Sequence, residues 1–328
     1  MSMRSAHQLK NMRIEEIFQE TDRLVLTGNA TEAEQLLLQE IANLEQQGLI
    51  PSLAFAQLSN ELAGLYRSNS RYSEAQRYFL AALCALEACG RKESADYASA
   101  EMNYAGALRQ MGDLRQAKER FLSAKGRMER LSLTNSYVYH SILNNLALVY
   151  QQQGRLQEAN QLLTHSLEWN RSQPNNNHEI ATALNNLALI RQKMGDIPGA
   201  RTLIEEALQM YDRMPPNVHH AAALEMRAAL LVDQRHYEQA LSDFCRAREK
   251  TLFFFGKNAE YAIACQNIAL VLCRLKRWKE AIRYQEESLT VRRQITSADH
   301  PATVRAEQLL LRMQQEQEGK KHGMSGAQ

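Results

Sequence analysis

Glycine never clusters in this chain. The 14 glycines stand singly, mostly at turns. Neither Gly-x-Gly-x-x-Gly nor Gly-x-x-x-x-Gly-Lys occurs, so no phosphate-cradling loop is expected. No Gly-x-Ser-x-Gly elbow occurs either. Proline is scarce, with 6 residues. Pro51, Pro174, Pro215, Pro216 and Pro301 fall between helical segments, and Pro198 falls at a helix start, where it is tolerated. The 5 cysteines include no Cys-x-x-Cys pair. Their odd number predicts free thiols serving as small apolar core residues. Charge of one sign is not in excess: 39 Lys plus Arg against 37 Asp plus Glu leaves +2, which gives no footprint for nucleic acid. There is no run of 18 apolar residues and no apolar stretch in Met1–Asn11. The expectation is a cytoplasmic chain with no membrane partner.

Metal chemistry is equally thin. His178-Glu179 opens a His-Glu-x-x-His motif, but position 182 is Thr. His219 and His220 are adjacent, so they point to different sides of a helix. His140, His165 and His236 stand alone and read as packing or surface residues. No metal, no cofactor and no enzyme activity is expected, because no site is visible.

What is present is a period. Alanine recurs at 33, 75, 117, 159, 200, 240 and 281, at intervals of 42, 42, 42, 41, 40 and 41. Twelve residues before each anchor is a second small residue: Thr21, Ala63, Ala105, Ala147, Ala188, Ala228 and Ala269. Five before it is a turn position: Gly28, Ser70, Gly112, Gly154, Gly195, Arg235 and Lys276. Large residues recur nine and three before the anchor and four after it, and small ones seven after. Offsets of three, four and seven are helical on both sides of the turn. Each unit therefore reads as an antiparallel helix pair whose first helix is ended by a left-handed residue. A stack of such units is predicted, each unable to bury its apolar face alone.

This pattern resembles the tetratricopeptide repeat. The runs Leu143-Asn144-Asn145-Leu146-Ala147 and Leu184-Asn185-Asn186-Leu187-Ala188, with His300-Pro301-Ala302-Thr303-Val304, are similar to the subtype found in kinesin light chains. No long heptad region accompanies them. The resemblance implies an all-α, right-handed superhelical solenoid of about seven helix pairs with a C-terminal capping helix. The expected limits are an N-terminal tail at 1–10 and one solenoid at 11–316. Its repeats lie at 11–48, 52–90, 94–132, 136–173, 177–214, 217–256 and 258–297, with the cap at 301–316 and a flexible tail at 317–328. About seven residues beyond the usual 34 extend each pair by roughly two turns.

The resemblance places the first helices inside the curve. Two residues before the small site there stand Gln19, Glu61, Asn103, Asn145, Asn186, Met226 and Asn267. Asn60, Asn144, Asn185 and Gln266 lie beside this column. Asparagine is a middling helix former, so its repetition in helix interiors needs another cause. Its amide both donates and accepts. Two roles are open: holding the backbone of an extended peptide, or bonding the neighbouring repeat. The candidate peptide-binding residues are Asn60, Asn103, Asn144, Asn145, Asn185, Asn186, Lys193, Asn267 and Arg274. Acidic Glu15, Asp22 and Glu61 open the stripe, and Lys193 and Arg274 stand at the far end of later helices.

The expected function is a non-catalytic scaffold binding a protein or peptide partner, as a monomer or weak homo-oligomer. Two alternatives are a peptide- or ligand-responsive regulatory or sensor subunit acting on a separate effector chain and a structural subunit of a complex. Phe253 to Phe255, one of them expected to be exposed, would be a contact for the latter. The basic run Arg274, Lys276, Arg277, Lys279 and Arg283 around Trp278 is expected to be a solvated face, with Trp278 buried in the repeat.

Overall fold

The computed structural model describes residues 14–215 and 219–325, and side chains as far as residue 318. The described backbone is helical, with no strand. Two compact units divide between Met194 and Gly195. The first contains α1 (Ile14–Leu26), α2 (Ala30–Gln46), α3 (Leu53–Ser68), α4 (Tyr72–Ala88), α5 (Ala95–Gln110), α6 (Leu114–Arg130), α7 (Tyr137–Gln152), α8 (Leu156–Ser172) and α9 (Asn177–Lys193). The second contains α10 (Ile197–Arg213), α11 (His220–Asp233), α12 (Tyr237–Phe255), α13 (Ala259–Arg274), α14 (Trp278–Ile295) and α15 (Pro301–Ser325). In the first unit α3 packs on α4, α5 on α6 and α7 on α8. In the second α11 packs on α12, α13 on α14, and α14 on α15.

The turns form as the period requires. All seven turn residues have positive φ, from Ser70 and Lys276 at 61° to Gly112 at 88°. At Gly112 the amide donates to the Arg109 carbonyl at 3.1 Å, and the Asp113 amide donates back to Leu108 at 3.0 Å. This paired closure satisfies carbonyls that a helix end otherwise leaves open. Ser70, Gly154, Arg235 and Lys276 close their helices in the same way. The starts are also repeated. Ser52, Ser94 and Ser136 accept the amides of Phe55, Tyr97 and Tyr139 at the starts of α3, α5 and α7. Such caps stabilise a helix by about 1 kcal/mol each. These serines stand 42 residues apart, in step with the repeat.

Packing follows from side-chain size. The seven anchor alanines are 0% exposed, and the small sites from Ala63 to Ala269 are as well. Thr21 at the first small site is buried too, its hydroxyl donating to the Ile17 carbonyl at 2.8 Å. Between them lie Leu37, Phe79, Phe121, Leu163, Ile204 and Phe244. Small residues let the two backbones approach, and the large ones fill the space that remains. In the last repeat this slot holds Gln285, which is buried and donates to the Ala306 carbonyl of α15 at 2.8 Å. The capping helix is thus held by an amide as well as by Met313 in the core.

Several expectations change. Cys265 is buried and Cys245 and Cys273 are half-buried against the core, whereas Cys84 and Cys89 are exposed. Cys84 lies on the solvent-exposed side of α4, and Cys89 caps the end of that helix. Trp278 is half-buried, as is each residue of its slot, because the slot lies at the rim of the turn. The Phe253 to Phe255 run is as expected, with Phe253 exposed and Phe254 buried. Helix α15 runs to Ser325, nine residues past the expected end of the cap at 316, since no proline interrupts it.

Candidate functional site

The first helices of consecutive repeats touch in the first unit: α3 meets α5, α5 meets α7, and α7 meets α9. The amide columns lie along these contacts. Asn103 Nδ2 donates to Asn60 Oδ1 at 3.2 Å, joining α5 to α3. Asn186 Nδ2 donates to Asn144 Oδ1 at 3.1 Å, joining α9 to α7. Both bonds link the main column of one repeat to the side column of the repeat before it. Between α5 and α7 the side column holds Met102, which has no amide. Asn145 turns instead to its own helix and donates to the Ser141 carbonyl at 2.9 Å.

Four of the predicted asparagines are therefore brought together in two rungs that tie repeats to each other. They are half-buried, not sunk in the core. Each rung uses one N–H and one oxygen, and an amide pair carries more of both. The half-buried Asn185 differs, with a buried Oδ1 that has no hydrogen-bond partner among the described residues. Lys193 is exposed at the end of α9. Asn267 and Arg274 lie in the second unit on α13, half-buried and exposed respectively. No group of three or more His, Cys, Asp or Glu able to hold a metal ion is found among the described residues. No described helix is long and apolar enough to cross a membrane.

The tetratricopeptide repeat profile matches residues 138–213, 179–251 and 260–321, which together take in more than half of the chain. The chain belongs to the tetratricopeptide repeat family. Comparison of this repeat protein with curated proteins finds no match. Among solved structures it resembles the Rap conjugation gene regulator of the plasmid pLS20, determined in complex with the Phr* peptide. The identity is 15%, the coverage 90% of this chain and 77% of that one, and the TM-score 0.68. The apo form of RapI gives 14% identity, 87% and 99% coverage and a TM-score of 0.60. Cut9 and Hcn1, a hetero-tetramer of APC/C, gives 18% identity, 94% and 57% coverage and a TM-score of 0.55. At these identities the likeness is one of fold.

Three features of the repeat faces escaped the sequence reading. Gly106 lies inside α5, where glycine costs about 0.5–1 kcal/mol relative to alanine. A Cβ there would come within 2.7 Å of the Arg67 guanidinium, so the glycine makes room for Arg67 on the first-helix face. The unexplained helical glycine was the available signal. Glu225 of α11 occupies the side column, where other repeats have Asn60, Asn144, Asn185 and Gln266. Burial, with Glu260 nearby, pushes its carboxyl up to about 7. Near neutrality it is partly protonated and then, like an amide, both donates and accepts. In the first unit, burial and the adjacent Asp22 raise Glu61 as well. The third feature is Arg292 of α14, whose setting is described below.

Proposed function

We propose that this tetratricopeptide-repeat protein is a non-catalytic cytoplasmic adaptor that holds an extended peptide segment of a partner protein. The segment lies on the first-helix faces, with its backbone against the asparagine columns. The observation that carries this reading is the row of half-buried amides on adjacent first helices, with donors and acceptors left over after the two rungs are made. Bare amides on a helix face suit a peptide backbone, because they offer both bonding senses and are indifferent to its side chains. The fold likeness to a regulator whose structure was determined in complex with a peptide agrees with it. In the first unit Asn60, Asn103, Asn144, Asn145, Asn185 and Asn186 make the backbone contacts and Lys193 meets an acidic group of the segment; in the second unit, by itself, Asn267 and Arg274 offer the same two kinds of contact.

The test is capture of the native partner from cell extract by the wild-type chain and by Asn145→Ala/Asn186→Ala. Two net hydrogen bonds of about 0.5–1.5 kcal/mol each correspond to a loss of roughly one to two decades in affinity. Capture at wild-type strength by the folded double variant would defeat the reading.

The same likeness favours a second reading, a peptide-responsive regulator acting on a separate effector chain. It requires the repeat stack to change shape when a peptide binds. Small-angle scattering with and without the captured partner peptide distinguishes it from a passive adaptor.

A further inference from the structure

The second unit exposes four aliphatic side chains on α13 and α15. Ile263, Leu270, Val304 and Leu311 are between 36% and 58% exposed. They are not scattered. Ile263 and Leu270 lie two turns apart on one side of α13, on the stripe that carries Gln266 and Arg274. Val304 and Leu311 hold the same places 41 residues later. The register is set by the buried side: Ala262, Cys265 and Leu272 of α13 correspond to Thr303, Ala306 and Met313 of α15, and all six are buried.

A cation stands beside this stripe. Arg292 of α14 takes the slot that holds buried Leu86, Met128 and Tyr211 in earlier repeats. Its Nη2 donates to Gln266 Oε1 at 3.3 Å, and Gln266 lies between Ile263 and Leu270 along α13. Its Nε is buried without an acceptor among the described residues. No carboxylate pairs with it among the described residues. Burial, with Arg305 nearby, lowers its pKa. Elsewhere the chain supplies the missing group. Arg127 is paired with Glu101 at 2.5 Å, and Arg227 with Asp243 at 2.7 Å. A half-buried guanidinium without its anion is costly. Arg274 and Arg305 add exposed positive charge with no ion pair among the described residues.

We propose that the exposed face of α13 and α15 takes a partner segment in which one Asp or Glu, flanked on both sides by aliphatic residues, pairs with Arg292. The carboxylate completes the guanidinium, and the flanking side chains cover Ile263 and Leu270 on either side of Gln266. Apolar positions on both sides place the acid inside the segment and not at its end. This assignment rests on the peptide-binding reading above and adds the chemistry of the partner.

The experiment uses the full chain and fluorescein-labelled peptides of about nine residues, aliphatic throughout except for a central Glu, Gln or Lys, with both ends blocked. Anisotropy should show the Glu peptide binding about tenfold more tightly than the Gln peptide, as a charge-assisted bond requires, with the Lys peptide weakest. Arg292→Gln and Arg292→Met should each abolish the preference for Glu over Gln. Either variant is expected to fold, since it removes an unpaired charge, and circular dichroism checks this. Leu270→Ser should weaken the Glu and Gln peptides alike. Equal binding of Glu and Gln by the wild type, or a preference surviving both Arg292 variants, overturns the pairing while leaving peptide binding intact. So does equal binding of a Gln peptide with a free C-terminus, which would move the carboxylate to the chain end. If none of the peptides binds, this assignment falls. Loss of native-partner capture by the Asn145→Ala/Asn186→Ala variant would still uphold the broader reading.

Discussion

Gly154 shows how one residue carries a turn. Its φ is 77°, and a Cβ built there would meet nothing within 4 Å. Space is therefore not the constraint; the backbone is. A residue with a Cβ pays about 1–2 kcal/mol in this conformation. Gly154→Ala should lose that much stability by urea titration, and a raised midpoint would show the turn to be misassigned. Arg235, with φ of 63°, bears the cost already, so Arg235→Gly is expected to raise the midpoint. Glu225 makes a second prediction at this scale. Its carboxyl is raised from 4.5 to about 7, so between those values the folded chain binds more protons than the unfolded one. Stability then falls as pH rises from about 4.5 to about 7 and stays lower above that. Glu225→Gln removes the charge that has to be buried. It should raise the denaturation midpoint at pH 8 and leave it nearly unchanged at pH 4.5; an equal gain at both values would exclude ionisation as the cause.

Between helices, the asparagines separate into two kinds. Asn186 ties α9 to α7 through Asn144, while the amide of Asn145 donates within α7, to the Ser141 carbonyl. Asn186→Ala leaves the half-buried Asn144 oxygen without its partner and should cost about 1–3 kcal/mol of stability. Asn145→Ala removes a bond to a carbonyl already used by the helix and should change melting little. If the single variants melt alike, the rungs are not what holds these repeats together. Partner affinity measured on the same pair then reports on the ligand. A fall for Asn145→Ala without a fall in melting belongs to peptide contact.

For the whole molecule, stability should add along the chain. Helices pack on their neighbours in sequence, α2 on α3, α4 on α5, α6 on α7 and α8 on α9 in the first unit. Such stacks sum local and nearest-neighbour contributions. A chain ended before Pro174 retains α1 to α8. It should keep its helical signal and melt at a lower temperature than the full chain. Abrupt loss of all helix on truncation would mean one indivisible core and would contradict a solenoid.

The sequence by itself determined the helix pairs, the seven left-handed turns and the buried alanines. The turns depend on the backbone within one turn of helix, and the pairs and buried alanines on side-chain spacings of three, four and seven that repeat along the chain. It also selected the asparagines, because an amide repeated inside helices has no local reason to be there. What only the tertiary structure decided is how side chains meet across helices. Whether Asn103 reaches Asn60 depends on a shift of one position between neighbouring helices, which a period of 40 to 42 residues does not resolve. Met102 breaks the ladder, Gly106 admits Arg67, and burial moves Glu225 toward neutrality. Arg292 reads in sequence as one more surface charge. Only the packing of α13, α14 and α15 around it leaves a half-buried guanidinium without a carboxylate among the described residues.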